Sequence, residues 1–307
     1  MFPDYLTFTV ALPIAEWLLG LLNSPYTTKR SVSSFYEEVR RCGGVSVSVP
    51  VNSEGMARVE VSGNGCRELE AAGAVTRWPP FLRSLLNDGA RFTRFDFAID
   101  DQTSLLSLDQ IITGCEEGRV VSAYKSVDFR PKLDGITGQI IGRGVTFGTR
   151  GSESYIRIYD KALEQNLAGH WIRVELETRK ERAQALAKAI AKQGTQVVPP
   201  ILLGYLDFKV RGTAERRCRW KTEGWWTTFL GTARRCRLEV APRNVSMENT
   251  YRWLIRSVAP AFARVHDSGI GEQLITQMLA HGRMKLKRTP AEVVKTEVEP
   301  AAKAEQP

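Results

Sequence analysis

Residues 94–100 read Arg-Phe-Asp-Phe-Ala-Ile-Asp and alternate between charged and apolar side chains. Because successive side chains of a β-strand point to opposite faces, this stretch predicts a strand with one charged and one apolar face. Residues 157–161, Arg-Ile-Tyr-Asp-Lys, and residues 173–177, Arg-Val-Glu-Leu-Glu, follow the same pattern. Three such strands predict an antiparallel sheet that packs on helices through one face and presents a charged surface on the other.

The order of the other elements predicts that the sheet consists of two similar halves. The first 90 residues are expected to form strands and helices in alternation, including a helix at 31–42, and a second round begins with the strand at 91–100. We therefore expect an α+β fold in which two ferredoxin-like halves form one wide, mainly antiparallel sheet with helices on one face.

Three segments follow from this organisation. The predicted segments are an N-terminal ferredoxin-like half at 1–90, a catalytic half with C-terminal helices at 91–282, and a tail at 283–307. The tail is basic and then rich in Ala, Glu, Lys and Pro, a composition typical of disorder.

Tyr159 lies between two cations in its predicted strand. Strand geometry places Arg157, Tyr159 and Lys161 on one face. Positive charge near a tyrosine favours the phenolate and binds phosphate oxygens, so this arrangement suits a nucleophile that attacks a phosphodiester. Alternating charges on any single strand are more commonly a solvated surface, and that alternative stays open for each strand taken alone.

The carboxylates of the same predicted surface suit a metal ion. Grouped carboxylates without histidine favour a hard cation, Mg²⁺ or Mn²⁺. The three histidines are far apart, and the five cysteines are scattered with no close pair, so any metal must rest on oxygen ligands. The candidate metal ligands are Asp96, Asp100, Glu175 and Glu177.

The composition, the glycine-rich turns and a basic segment with tryptophans favour a nucleic-acid partner. The chain has 43 Lys and Arg against 34 Asp and Glu, a net charge of +9, which favours polyanions in a non-specific way. Residues 209–237 interleave cations with tryptophans, a pattern that suits single-stranded or distorted DNA. The glycine-rich turns at 142–144 and 148–152 carry Arg143 and Arg150, and glycine lets a backbone approach phosphate closely. The alternatives are that these turns simply join strands and that at least one tryptophan belongs to the core. The candidate DNA-binding residues are Arg143, Arg150, Arg216, Arg217, Arg219, Lys221, Trp225 and Trp226.

Taken in order, these motifs resemble the replication initiation factor family. This family contains rolling-circle initiators of staphylococcal-type plasmids and RstA-like proteins of filamentous phages. The resemblance covers roughly residues 1–265 and is strongest in the ordered set of a glycine-arginine turn, Arg-x-Tyr-x-Lys and Arg-x-Glu-x-Glu. The matching stretches are 4–9, 61–67, 94–100, 146–150, 157–161, 173–177 and 225–230.

The resemblance implies a DNA nicking enzyme. Tyr159 would cut one strand at the origin, forming a 5′-phosphotyrosyl link and a free 3′-OH that primes a host polymerase, with Arg157, Lys161 and Arg173 offsetting transition-state charge. It also implies origin DNA, a host helicase and a homodimer as partners. Two alternatives stay open: a sequence-specific DNA-binding protein that has lost nicking, and a metal-dependent nuclease that hydrolyses with water.

The sequence also bears on where the protein acts. No segment is long and apolar enough to span a bilayer, and no signal peptide is evident. We therefore expect a cytoplasmic protein of a bacterial host, carried by a filamentous phage or a plasmid.

Overall fold

The computed structural model divides the chain into two compact units, Met1–Pro242 and Arg243–Pro307. The structure describes residues 1–286 with the exception of 53–54, 130, 232–233, 237, 239–246, 248–249 and 252–253.

The first unit contains all the strands of the described chain. In chain order these are β1 (Phe2–Ala11), β2 (Thr27–Arg30), β3 (Tyr36–Cys42), β4 (Val45–Pro50), β5 (Met56–Val61), β6 (Arg91–Asp101), β7 (Val120–Ser122), β8 (Val127–Phe129), β9 (Lys132–Leu133), β10 (Ile140–Gly142), β11 (Gly144–Phe147), β12 (Ser154–Asp160), β13 (Ile172–Arg179) and β14 (Leu206–Phe208). The helices of this unit are α1 (Leu12–Gly20), α2 (Gly63–Ala71), α3 (Trp78–Asn87), α4 (Leu108–Glu116), α5 (Lys161–Glu164), α6 (Glu181–Gln193), α7 (Val198–Tyr205) and α8 (Gly224–Leu230).

Ten strands form one wide sheet in the order β2-β3-β4-β5-β1-β6-β13-β12-β11-β8. Each neighbouring pair is antiparallel. Two small two-stranded sheets, β9 with β10 and β7 with β14, complete the strand pairing.

The sheet has the two-half construction expected from the sequence. One half runs β1, α1, β3, β4, β5, α2, and the other runs β6, α4, β11, β12, β13, α6. The first strands of the halves, β1 and β6, pair at the centre of the sheet. The first half then continues outward through β5, β4 and β3, and the second half continues through β13, β12 and β11. The predicted α+β fold with a wide antiparallel sheet is therefore confirmed.

The helices bury the apolar face of this sheet. Side chains such as Phe8, Phe95, Phe97 and Leu176 are at most 1% exposed and belong to one core with the inward residues of the helices. In α6 the buried side chains recur at helical spacing and are alanines together with Leu186 and Ile190. This helix contacts α3, β6 and β13. The opposite face of the central strands carries the charged side chains and does not belong to this core.

The helix expected at 31–42 is wrong. The segment holds β3, which pairs with both β2 and β4 at one edge of the sheet. Its Glu and Arg residues have good helix propensity, but the hydrogen bonds to β2 and β4 outweigh that weak local preference.

The second unit is helical in its described part. It contains a π-helical turn at Leu254–Val258, α9 (Ala259–Val265), a second π-helical turn at His266–Ile270 with Gly269 in the left-handed region (φ 83°), and α10 (Gly271–Leu286). The first residues of the expected tail, 283–286, belong to α10, and 287–307 lie outside the described residues. No helix in the described part of the chain is long and apolar enough to cross a membrane.

Candidate active site

Strand register brings the predicted catalytic side chains onto one face of the sheet. Tyr159 of β12 lies opposite Arg173 of β13, and Arg157 lies opposite Glu175. The next pairing continues the row, because Arg173 also lies opposite Asp100 of β6. Residues directly opposite each other in an antiparallel pair project to the same side, so strands that are distant in sequence share one surface here.

Tyr159 lines a cleft of about 590 Å³ on this surface. Its hydroxyl donates a hydrogen bond to Oε2 of Glu175 at 3.2 Å. The guanidinium carbon of Arg157 lies 5.4 Å from the centre of the tyrosine ring, and Nζ of Lys161 lies 5.7 Å from it. Arg157 lines the cleft together with the tyrosine, whereas Glu175, which can accept the proton of the hydroxyl, is 2% exposed and does not line it.

The pKa of the Tyr159 hydroxyl is raised well above its ordinary value. Burial is the main cause, and the charges of Glu175 and Glu164 add to it, while Arg173 and Arg157 act in the opposite direction with smaller effect. The neighbouring arginines thus lower the pKa of the hydroxyl in the expected direction, but burial and the two glutamates outweigh them. At neutral pH the hydroxyl keeps its proton and needs a base in order to react.

Lys161 reaches the site from a helix and not from the strand. The strand β12 ends at Asp160, whose side chain accepts a hydrogen bond from the backbone N–H of Leu163 at 2.8 Å and so caps α5. The expected position of Lys161 on the strand is thus wrong, because the cap turns the chain one residue earlier. Its ammonium group still approaches the ring of Tyr159 and forms an ion pair with Glu164.

A glycine opposite Tyr159 permits the close approach of β11. Gly144 pairs with Tyr159, and a Cβ at residue 144 would lie 2.6 Å from the Cβ of the tyrosine. The glycine-rich turn around Arg143 thus forms part of the wall of the cleft, where Arg143 pairs with Asp109 of α4. Arg150 is exposed in the turn that joins β11 to β12.

Tyr155 has the same orientation as Tyr159 but a different environment. It lies two residues earlier on β12, is only 3% exposed, and donates a hydrogen bond to Oε2 of Glu177 at 2.5 Å. Burial, together with Glu177, raises its pKa to about 12. Because Tyr155 does not line the cleft, it provides a natural comparison for Tyr159.

Two of the predicted metal ligands share one arginine. Asp96 and Glu177 are opposite each other on β6 and β13, and both are 1% exposed. Nη2 of Arg94 lies 2.5 Å from Oδ2 of Asp96 and 2.9 Å from Oε2 of Glu177. Arg94 was absent from the predicted site, although its position two residues before Asp96 on the same face was a usable signal.

The other two carboxylates have separate arginine partners. Oε1 of Glu175 lies 2.5 Å from Nη2 of Arg157. Asp100 accepts two hydrogen bonds from Arg173, at 2.7 and 2.9 Å, and Arg173 also contacts Asp4 at 3.0 Å. The structure therefore places Asp100 in a bidentate ion pair, apart from the acidic group around Arg94.

The chemistry of Asp96, Glu175 and Glu177 nevertheless fits a divalent cation. Burial raises the pKa of Asp96 to about 7, and the charges of Glu177 and Glu175 add to this effect, while Arg94 opposes it. In the described part of the chain, no three His, Cys, Asp or Glu side chains already stand in a metal-binding arrangement. Arg94, Arg157 and Arg179 pair with these three buried carboxylates, Arg179 through Oε1 of Glu177 at 2.5 Å, so a hard cation with oxygen ligands would have to replace arginine contacts here.

The tryptophan pair of the basic segment belongs largely to the core. Trp226 is fully buried, its Nε1 donates to the carbonyl of Leu206 at 3.2 Å, and its ring lies 5.0 Å from that of Phe208. The prediction that Trp226 contacts DNA is therefore wrong. Trp225 is half-buried and packs on the same Phe208 at 4.9 Å.

The cations of the basic segment are in contrast exposed. Arg216, Arg219 and Lys221 lie on the surface around a 3₁₀ turn at Arg217–Arg219. Arg217 is exposed too and donates to the carbonyl of Gly118 at 2.8 Å. This surface stays a predicted DNA contact.

Comparison with known proteins identifies the family. The model of the replication initiation factor family matches residues 90–279, more than half of the chain. The chain belongs to the replication initiation factor family. It is 31% identical over 290 residues to the putative DNA relaxase NicK of Bacillus subtilis (strain 168), an alignment that covers 88% of this chain and 81% of the relative. The resemblance seen in the sequence motifs is confirmed.

The fold also matches a solved structure. A rolling circle replication initiator protein from Geobacillus stearothermophilus superposes with a TM-score of 0.66 at 22% identity, covering 78% of this chain and 98% of that chain. At this level of identity the match concerns the fold, including the wide antiparallel sheet.

Proposed function

We propose that this member of the replication initiation factor family nicks one strand of origin DNA by attack of Tyr159 and thereby starts rolling-circle replication. The single observation that carries the proposal is the hydrogen bond to Glu175 from the hydroxyl of Tyr159, which lines a cleft with Arg157 and has Lys161 beside its ring. The names of the relatives support it, since one is a putative DNA relaxase and the other a rolling circle replication initiator.

The proposed reaction is a phosphoryl transfer with Glu175 as the base. Oη of Tyr159 attacks phosphorus and forms the Oη–P bond, while the bond between phosphorus and the 3′ oxygen breaks. The hydroxyl proton passes to Oε2 of Glu175, and the leaving 3′ oxygen takes a proton from water. The phosphotyrosyl bond keeps the energy of the broken phosphodiester, so the reverse reaction rejoins the strand without ATP.

Arg157 and Lys161 would stabilise the charge that develops on the phosphate. Both lie beside the ring of Tyr159, and Nε of Arg157 is a buried donor with no hydrogen-bond partner among the described residues. A phosphate oxygen in the cleft would supply an acceptor. Arg173 is occupied by Asp100 and Asp4, so we assign it the role of holding β13 and β6 beneath the tyrosine.

A divalent cation, Mg²⁺ or Mn²⁺, would bind to Asp96 and Glu177, which leaves Oε2 of Glu175 to take the proton of Tyr159. When bound, it would act as a Lewis acid that polarises the phosphate. Asp100 is left out of this set because it lies apart from the acidic group around Arg94, in a bidentate ion pair with Arg173.

The DNA would extend from the cleft over further cations. The surface residues Arg143, Arg150, Arg216, Arg217, Arg219 and Lys221 would contact its phosphates. We further propose that the partners are a host helicase and a host polymerase, that the protein acts as a homodimer, and that it works in the cytoplasm of a bacterial host.

The experiment uses the DNA of the chain's own replicon. Single-stranded oligonucleotides tiled across the gene and its flanks are incubated with the protein and Mg²⁺, and the products are separated on a denaturing protein gel. One oligonucleotide should be cleaved and leave a covalent protein–DNA band, which disappears with chelator and in Tyr159→Phe. Tyr155→Phe is the matched control on the same strand and should retain the band.

The other outcomes distinguish the alternatives. Binding without cleavage of any oligonucleotide would favour a DNA-binding protein that does not nick. Cleavage without a covalent band would favour a nuclease that uses water, and full activity in chelator would exclude the proposed metal.

A further inference from the structure

An apolar β-hairpin projects beside the candidate active site. It consists of β9, β10 and the turn between them, residues 132–142, which we call the arm. Four large aliphatic side chains of the arm are exposed: Leu133 by 54%, Ile136 by 96%, Ile140 by 50% and Ile141 by 38%. Single exposed aliphatic residues are common, but four of them on one eleven-residue hairpin call for a partner.

The tip of the arm is a well-ordered turn. Oδ1 of Asp134 accepts hydrogen bonds from the backbone N–H groups of Ile136 at 3.0 Å and Thr137 at 2.7 Å, and from the Thr137 hydroxyl at 2.9 Å. The backbone of Asp134 is also paired, with Gln139 at 2.8 Å and Gly138 at 2.9 Å. Because the turn is held by its own hydrogen bonds, Ile136 is presented at a fixed position without packing on the protein.

The base of the arm forms a wall of the cleft that contains Tyr159. Lys132, Gln139, Ile140 and Ile141 line this cleft together with the tyrosine. The base of the arm therefore places one lysine, one glutamine and two isoleucines next to the reacting residue, and its tip presents Ile136.

This combination fits DNA more closely than it fits a second protein surface. Tyr159 is half-buried in this cleft, so the scissile strand has to enter the cleft, and a strand separated from its partner enters more readily than a duplex. Proteins that open or kink DNA insert aliphatic side chains, isoleucine among them, between base steps, while nearby cations hold the phosphates. Because the base of the arm and its Lys132 line the cleft, DNA that reaches Tyr159 would also contact the apolar tip of the arm.

We propose that the arm is a wedge that unstacks duplex origin DNA beside the scissile phosphate, with Ile136 as the inserted side chain. The inference rests on the proposed nicking function and adds to it the means by which a duplex becomes a substrate. The wedge is needed only where bases are stacked in a duplex, and an oligonucleotide that is already single-stranded does not need it.

The test compares two forms of one substrate. The oligonucleotide that wild-type protein cleaves is offered as a single strand and as a linear duplex. In Ile136→Ser, cleavage of the duplex should fall by roughly tenfold or more, because a base step must now be unstacked without help, and cleavage of the single strand should stay within about twofold. Ile136→Leu keeps an apolar tip and should restore duplex cleavage. Val32→Ser is the matched control, since Val32 is a fully exposed valine near the opposite edge of the sheet.

A second readout follows base unstacking without cleavage. In the Tyr159→Phe background, 2-aminopurine placed next to the scissile phosphate of the duplex should brighten on binding, and the additional change Ile136→Ser should remove this increase.

The outcomes separate the wedge from the proposed function. Absence of single-strand cleavage by wild-type protein would contradict the nicking function. Normal single-strand cleavage together with equal duplex cleavage by wild type and Ile136→Ser would overturn the wedge alone. An Ile136→Ser protein that loses self-association and cleaves both substrates equally poorly would assign the arm to contact between copies of the chain and would also overturn the wedge.

Discussion

Replacement of Trp226 by alanine should destabilise the first unit and should not act through DNA contact. The ring is fully buried, packs on Phe208 and Phe229, and uses its only polar group to donate to the carbonyl of Leu206. Truncation of such a ring leaves a cavity and costs about 3–5 kcal/mol of unfolding free energy. For a unit the size of Met1–Pro242, each kcal/mol lowers the melting temperature by about 2–4 °C, so about 4 kcal/mol gives a decrease of roughly 8–16 °C.

The assay pairs thermal unfolding with DNA binding on the same proteins. Trp226→Ala should melt early, and binding measured well below its melting temperature should match that of wild type. Trp226→Phe keeps most of the ring volume and should lose less stability than Trp226→Ala. Trp225→Ala should also lose less, since Trp225 is only half-buried. A Trp226→Ala protein that melts within about 2 °C of wild type yet binds DNA more weakly would refute the core assignment.

The remaining predictions concern pH and salt. If Glu175 is the base, the rate of single-strand cleavage by wild type should be nearly constant between about pH 7 and 9. The rate of Glu175→Gln should be at least about 100-fold lower and should increase with pH. A wild-type rate that rises about tenfold per pH unit would point instead to attack by free phenolate. Asp96, with its pKa raised to about 7, keeps its proton in the folded protein and loses it near pH 4 when unfolded. Its contribution to stability is therefore present below about pH 4 and is lost as pH rises through 7. Without metal, the melting temperature of wild type relative to that of Asp96→Asn should therefore fall from about pH 5 to 8. A difference in melting temperature that stays constant over this range would contradict the raised pKa. Changing the arginines at 216, 217 and 219 to alanine should weaken DNA binding and flatten the slope of log affinity against log salt, because fewer counterions are released; an unchanged slope would show that these arginines do not touch phosphate.

The central sheet was predictable because the pattern that identifies each of its strands lies within a few consecutive residues. Alternation in 94–100, 157–161 and 173–177 gives the charged and apolar faces directly, and the structure pairs these strands as neighbours. The strand β3 was missed because its Glu and Arg residues favour a helix locally, while the hydrogen bonds that make it a strand come from β2 and β4.

The site was predictable in its residues but not in its electrostatics. The sequence shows Arg157 and Lys161 beside Tyr159, and it does not show that Glu175 and burial outweigh them. It likewise shows a row of carboxylates, but the sharing of Arg94 between two of them depends on pairing between strands. The wall that the arm adds to the cleft was also missed, although Asp-Gly at residues 134–135, followed by Gly138, between apolar residues is a hairpin signal.

The most direct test of the proposed mechanism is the identity of the residue that carries DNA after cleavage. The covalent adduct is trimmed with nuclease, digested with trypsin and analysed by tandem mass spectrometry. Trypsin cuts after Arg150, Arg157 and Lys161, so Tyr155 and Tyr159 fall on different peptides, 151–157 and 158–161. We predict a nucleotide linked through its 5′ phosphate to Tyr159 on the peptide Ile-Tyr-Asp-Lys. A nucleotide on the peptide that contains Tyr155, or on any other residue, would contradict the assignment of Tyr159 as the nucleophile.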